Sequence, residues 1–317
     1  MPPFQLLAII IGSLLAGSAL AILAVGRFTS RPMRKVWTIW GSWMVLAPLM
    51  IAAVFAGRFG MIIFATIFAL LAAKEFARAT GLYRDWFMTG AIYLAILGCA
   101  AACAWPDADL GGLRPGAFDL FSAIPIYAVA LILIIPVLRN RTEGQLQSIA
   151  LATFAFVFIG WGFMHLALLT NAADWQGPAV FLIFAVEICD IAAFTFGRFA
   201  GRPAGHPRHH PLRTAISPNK TWEGALGALA VAMALPWILG FALPPSFGVV
   251  EKILVSLIIG IAGPLGDLAI SVIKRDIGIK DMGAAIPGHG GVLDRIDSLL
   301  LAAPLFVRLY HQVEGLR

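Results

Sequence analysis

Apolar residues run through this chain in blocks of roughly twenty, long enough to cross the hydrocarbon of a bilayer as helices. Polar residues gather in the segments between the blocks. The pattern predicts nine transmembrane helices, at about 4–25, 37–56, 60–75, 86–105, 121–138, 146–170, 178–196, 222–243 and 251–273. A last apolar run, at about 298–307, is short for a crossing and reads as a C-terminal helix. The expected fold class is all-α, a polytopic integral membrane helix bundle of about nine transmembrane helices plus that short helix. No internal repeat or soluble domain interrupts it. No basic residue precedes the first block, so it reads as a retained helix rather than a cleaved leader.

The polar segments alternate in charge. Basic residues follow the odd-numbered blocks: Arg27, Arg31, Arg34 and Lys35; Lys74, Arg78 and Arg84; Arg139 and Arg141; the long run 197–220; and the run beginning at Lys274. The segments after the even-numbered blocks are short, acidic or nearly neutral, with Asp107, Asp109, Asp119 and Asp174 among them. Basic loops stay in the cytoplasm, so the N-terminus is expected outside and segments 197–220 and 274–297 inside. Residues 1–145 read as a transmembrane scaffold and 146–317 as a catalytic region carrying those two loops.

Composition agrees. The chain is 60% hydrophobic and 13% charged, with a mean hydropathy of +0.88, against roughly 25% charged residues in an ordinary soluble domain. The net charge of +6 is accounted for by the basic loops and calls for no nucleic-acid partner. Cys99, Cys103 and Cys189 lie in apolar runs without a C-x-x-C spacing and read as small buried side chains.

Against this background one segment stands apart: S-V-I-K-R-D-I-G-I-K-D-M-G-A-A-I-P-G-H-G-G-V-L-D-R-I-D, Ser271 to Asp297. It concentrates Lys274, Arg275, Lys280, Asp281, His289, Asp294 and Arg295 around a glycine-rich turn containing Gly290 and Gly291. Carboxylates there can hold a divalent ion, the cations can neutralise phosphate oxygens, and backbone N–H groups of the turn can donate to them. Within the membrane blocks, Glu187 and Asp190 share a helical face three residues apart. Asp267, Ser271 and Lys274 share another at i, i+4 and i+7. Ionisable groups at membrane depth are costly, and are kept for function or as paired ions. A structural ion pair between Asp267 and a neighbouring lysine is the alternative to a metal site.

The second basic segment ends in S-P-N-K-T-W-E-G, Ser217 to Gly224. Ser217 can cap a helix with Pro218 at its first position, which would place Lys220 in an anion-binding first turn. An ordinary capped helix with Trp222 as an interfacial anchor is the alternative. Arg198 opens this segment; His206, His209 and His210 read as part of a solvated basic loop rather than metal ligands. The run can also attract anionic head groups. No G-x-x-x-x-G-K-(S/T), no strand-borne G-x-G-x-x-G and no nucleophile elbow occurs.

The pattern S-x-I-K-R-x4-K-D-x-G-x2-I-P-x-H-G-G-V-x-D-R-I-D, from Ser271, resembles the defining motif of phosphatidate cytidylyltransferases, also called CDP-diacylglycerol synthases. Gly266-Asp267, S-P-N-K-T-W-E-G and D-I-A-A-F-T-F-G-R-F-A-G-R from Asp190 extend the resemblance through the C-terminal half. Phe194 stands where that family usually has Tyr, Arg202 where it has Lys, and the linker H-P-R-H-H-P-L-R is longer than typical. The resemblance implies CTP and phosphatidic acid as substrates at a lipid bilayer, one or two Mg²⁺ ions with room for a monovalent cation, and admits a homodimer. It implies Asp190, Asp267, Asp281 and Asp294 as metal ligands. Lys274, Arg275, Lys280, His289, Arg295 and Lys220 then serve as phosphate partners, with Ser217, Ser271, Gly290, Gly291 and Arg198 at the substrates. Transfer to another lipid, of isoprenoid type, and an ion-coupled transporter are the competing readings. Crowding of charge at one surface, without repeated halves, weighs against the transporter.

Overall fold

A computed structural model of the chain describes residues 1–28, 34–105, 116–200, 210–213, 215–288 and 290–315. Arg31, Asp107, Asp109, Arg202, His206, His209 and His289 lie outside the described residues.

The expected bundle is present. Its first helices are α1 (Pro3–Phe28), α2 (Arg34–Phe55), α3 (Gly57–Ala79), α4 (Trp86–Ala104) and α5 (Ala117–Leu138). A continuous rod, Gln145–Asn171, then contains α6 (Gln145–Phe154) and α7 (Gly162–Leu168), joined by a π-helical turn, Ala155–Trp161. After α8 (Gln176–Phe199) come a hairpin of β1 (Pro211–Arg213) and β2 (Ser217–Thr221), and α9 (Trp222–Ile238). A second rod, Val249–Asp276, holds α10 (Val249–Leu257) and α11 (Gly263–Asp276) around a π turn, Ile258–Ala262. Short α12 (Leu293–Ile296) and α13 (Leu299–Glu314) close the chain.

Eight of these helices are long and apolar enough to span a membrane among the described residues. The remaining expected crossing, the eighth in chain order, is α9 and has 17 residues, because its C-terminal end tightens into a 3₁₀ turn at Gly240–Ala242. Lys74 and Arg78 lie on α3 rather than in the loop after it, and Arg198 lies in the last turn of α8. The last apolar run extends to 16 residues as α13, packed through Leu299, Ala302, Ala303 and Phe306 into the interior.

Burial inside a membrane brings little hydrophobic gain, so helices associate where small side chains let backbones approach closely. The seven residues of α7 are all buried. A Cβ added at Gly162 would stand 2.8 Å from the carbonyl oxygen of Leu300. We expect Gly162→Val to cost about 1–3 kcal/mol by forcing α7 from α13. The readout is the thermal unfolding midpoint in detergent; an unchanged midpoint would mean that the contact is not tight.

Side-chain contacts sort the connections into two ends. At one end Ser42 near the start of α2 donates to the Pro287 carbonyl, Glu75 of α3 accepts from Leu293 N–H, and Arg139 pairs with Asp85 at 2.7 Å. The hairpin also joins this end, through Lys220 and Asp267. At the other, Arg58 binds the Cys103 carbonyl and Asn171, and Ser246 meets Glu314. The first group consists of the connections that charge alone had grouped together.

Candidate active site

The site is built from α11 outward. Pro264 has no N–H to give Gly260, and its ring crowds that carbonyl; the rod widens there into the π turn. Three residues after Pro264, Oδ1 of Asp267 accepts from Ser271 Oγ at 3.2 Å, so the predicted helical face exists. One turn on, Lys274 is buried and its Nζ lies 2.9 Å from Asp294 Oδ1 and 3.9 Å from Asp297 Oδ2.

Asp294 organises the turn that precedes it. Its Oδ2 accepts from the N–H groups of Met282 and Gly291, at 2.8 and 2.9 Å. Gly290 sits at φ +82°, and a Cβ there would come within 2.8 Å of the same oxygen. Backbone conformation and the closeness of Asp294 therefore both require glycine.

The hairpin delivers Lys220, whose Nζ donates to Asp267 Oδ2 at 2.6 Å. This ion pair is the arrangement that the sequence left open as an alternative. The expected cap at Ser217 is not formed. Ser217–Thr221 pairs instead with Pro211–Arg213, and the Thr221 side chain caps α9 by accepting from Gly224 N–H at 3.2 Å. Lys220 is thus a strand residue just ahead of the helix, not part of its first turn. Cross-strand pairing outweighed a cap four residues earlier.

These elements enclose a cavity of about 970 Å³. Among the described residues, six carboxyl groups line it (Glu187, Asp190, Asp267, Asp281, Asp294 and Asp297) with four cations, Arg198, Lys220, Lys274 and Arg295. Asp190 Oδ2 accepts from Ser298 Oγ at 3.1 Å. Six predicted residues among the described ones are not part of the lining. Ser271, Gly290 and Gly291 instead contact Asp267 and Asp294, which do line it. Arg275 is turned away, its guanidinium donating to the carbonyls of Ile216 and Ile279 at 3.2 and 2.9 Å. Lys280 is exposed, and Ser217 lies at the outer end of β2.

A second, almost wholly apolar cavity of about 520 Å³ lies between α1, α2, α3 and α8. It shares Trp43, Glu187, Ile191 and Arg295 with the charged one. At this junction Arg295 Nε is buried and has no hydrogen-bond acceptor among the described residues.

Two residues that the sequence reading did not place in the site belong to its surroundings. Asp297 is buried, which pushes its carboxyl well above the usual carboxylate range; the charge of Asp267 adds to the push and Lys274 offsets part of it. Glu75 reaches in from α3 to accept Leu293 N–H at 2.9 Å. Glu75 is the one acid on α3, set between Lys74 and Arg78, and that was its signal, but nothing in the sequence says what it meets.

With every group ionised, the described lining carries an excess of two negative charges, and one of its acids is buried at a cost to its charged form. Hard oxygen donors in such a surplus suit a divalent cation such as Mg²⁺. No three acidic, His or Cys groups are clustered at metal-holding distance among the described residues; Asp267 and Asp294 are engaged by lysines instead.

Comparison with known proteins bears on the chemistry. A family model described as the cytidylyltransferase family matches residues 37–313. The chain is 34% identical over 195 residues to the uncharacterized protein YnbB of Escherichia coli K12, covering 60% of this chain and 63% of that one. It is 32% identical over 180 residues to a phosphatidate cytidylyltransferase of Staphylococcus haemolyticus, covering 57% and 66%. A phosphatidate cytidylyltransferase of Staphylococcus epidermidis is 27% identical over 245 residues, 77% of this chain and 87% of that protein. The first two matches span just under two thirds of the relatives' own lengths.

Proposed function

The chain belongs to the cytidylyltransferase family, and from that premise we propose that it transfers the cytidylyl group of CTP to phosphatidic acid. One observation carries the choice of a lipid acceptor: a charged cavity and an apolar one meet at Arg295, whose buried Nε lacks an acceptor. An anionic head joined to an acyl tail fits that junction; a soluble phosphate has no use for the groove.

In the proposed reaction an oxygen of the lipid phosphate attacks the α-phosphorus of CTP. The bond from that phosphorus to the α,β-bridging oxygen breaks, and pyrophosphate leaves with the electron pair. The acceptor is already an anion, so the work is charge balance and positioning rather than proton removal. Lys220, Lys274, Arg198 and Arg295 offset the phosphate charges, and Arg295 anchors the lipid phosphate at the mouth of the groove. Asp190, Asp267, Asp281 and Asp294 would hold one or two Mg²⁺ ions, which when bound neutralise phosphate oxygens. The site lies at the end of the bundle that carries the basic connections, so in this reading it faces the cytoplasm of a bacterial inner membrane.

The test is turnover of the purified protein with CTP, Mg²⁺ and phosphatidic acid, followed by pyrophosphate release and the lipid product. CDP-diacylglycerol formation that depends on the lipid and is lost with chelator supports the reading; CTP binding without product rejects phosphatidate as the acceptor. The groove makes its own prediction. Leu46 lines it without touching the charged cavity. Leu46→Trp is expected to raise KM for a long-chain phosphatidate by about tenfold and to spare a dihexanoyl substrate. Equal effects on both would reject the groove as the path of the tail.

A further inference from the structure

Glu75 lies on α3, in the half of the chain that contributes none of the residues marked by the motif, and the proposed reaction gives it no role. Its carboxylate nevertheless reaches the most constrained part of the site. Oε2 accepts from Leu293 N–H at 2.9 Å, across 218 residues of chain. The same group lies against two glycines of the turn. A Cβ on Gly283 would stand 2.6 Å from Oε1 and 2.8 Å from Cδ; one on Gly291 would also be 2.8 Å from Cδ and closer still to Oε2.

Three N–H groups of this turn are therefore held by two carboxylates. Asp294 takes Met282 and Gly291 from within, and Glu75 takes Leu293 from outside. Leu293 immediately precedes Asp294, so the bond from Glu75 fixes the backbone on which Asp294 is mounted. Among the described residues Glu75 has no ion-pair partner within 4 Å, so a merely electrostatic role at a salt bridge does not account for it. Glycine at 283 and 291 is what lets the carboxylate reach the N–H.

We infer that Glu75 is a positioning residue: it clamps the 281–294 turn from α3 so that Asp294 faces the charged cavity. Its effect on turnover rests on the cytidylyltransferase reading; the clamp itself does not. Glu75→Gln keeps the size and an acceptor oxygen, whereas Glu75→Ala removes the acceptor. Misplacing a catalytic group by roughly 1 Å costs about a hundredfold in rate. Glu75→Ala is accordingly expected to lower kcat about a hundredfold with little change in the KM for CTP, and Glu75→Gln to recover most of it.

Gly291→Ala should be about as damaging, since its methyl group collides with the carboxylate. In combination with Glu75→Ala it should add little, because both changes break one contact. Hydrogen exchange read by mass spectrometry over peptide 281–294 supplies a readout that needs no substrate. Exchange is expected to quicken in Glu75→Ala and stay slow in Glu75→Gln. Unchanged exchange in the alanine variant, multiplying losses in the double variant, or a glutamine variant as impaired as alanine would each overturn the clamp. A wild-type protein that makes no CDP-diacylglycerol, with exchange changed as expected, would overturn the reaction and leave the clamp standing.

Discussion

Asp267→Asn is expected to remove turnover, by about a thousandfold or more, from a protein that still inserts and purifies normally. Two accounts of Asp267 compete, and magnitudes separate them. As a structural ion pair, its bond to Lys220 joins side chains that are 27% and 30% exposed. A pair that wet contributes about 0–1 kcal/mol, so its loss would barely move stability and give no reason for turnover to fall. As a member of the charged cavity, Asp267 sits where strand, helix and cavity meet, held by Lys220 on one oxygen and Ser271 on the other. Losing its charge halves the excess of two negative charges in the described lining. Single groups stabilising charge in such sites are worth about 10²–10³ in rate, and losing a ligand charge for a divalent cation adds to that. The measurement is turnover across a Mg²⁺ titration beside the unfolding midpoint. An inactive, stable variant supports the cavity role. An active variant with a normal Mg²⁺ dependence removes Asp267 from the reaction.

The bundle was legible because the bilayer imposes its own period: a block of about twenty apolar residues has few other uses, and loop charge then orders the blocks. The contacts place Ser42, Glu75, Arg139 and Lys220 at the end where the basic connections were expected. Within the site, what one helix repeats was also legible. Asp267, Ser271 and Lys274 were read on one face from spacing alone, and Ser271 does donate to Asp267. The same geometry explains a residue that the reading carried too far. Arg275 follows Lys274 by one position, about 100° around the helix, and so leaves that face for the carbonyls of Ile216 and Ile279. Charge marks a residue as expensive to bury without saying which way it points. What no period could reveal is pairing between distant segments. Lys220 meets Asp267 through a hairpin that the sequence disguised as a helix cap, and Glu75 meets Leu293 through α3. The apolar groove was hidden for another reason: in helices apolar on every side, composition does not separate a face that lines a cavity from one that meets lipid.

Lys274→Ala is expected to be the most damaging single change, since it acts on stability and on turnover together. Lys274, Asp294 and Asp297 are 7%, 6% and 7% exposed, so this cluster is dry where the Lys220–Asp267 pair is not. Removing the ammonium leaves two buried carboxylates without their nearest cation, and breaking a buried pair from one side costs about 3–5 kcal/mol. The loss spreads, because the other oxygen of Asp294 holds the N–H groups of Met282 and Gly291. Lys274→Arg should not rescue it: a planar guanidinium does not fit a socket shaped for a compact ammonium. The double variant Lys274→Met with Asp294→Asn separates the two effects. It removes the lysine and one of the two carboxyl charges and keeps an amide oxygen for the turn. Most of the lost unfolding midpoint should therefore return, while turnover stays absent. A double variant that regains activity would mean that the pair only holds the turn together and that phosphate charge is balanced elsewhere. One that stays as unstable as Lys274→Ala would mean that the lysine supports the fold through contacts other than Asp294, with Asp297 at 3.9 Å the next to test.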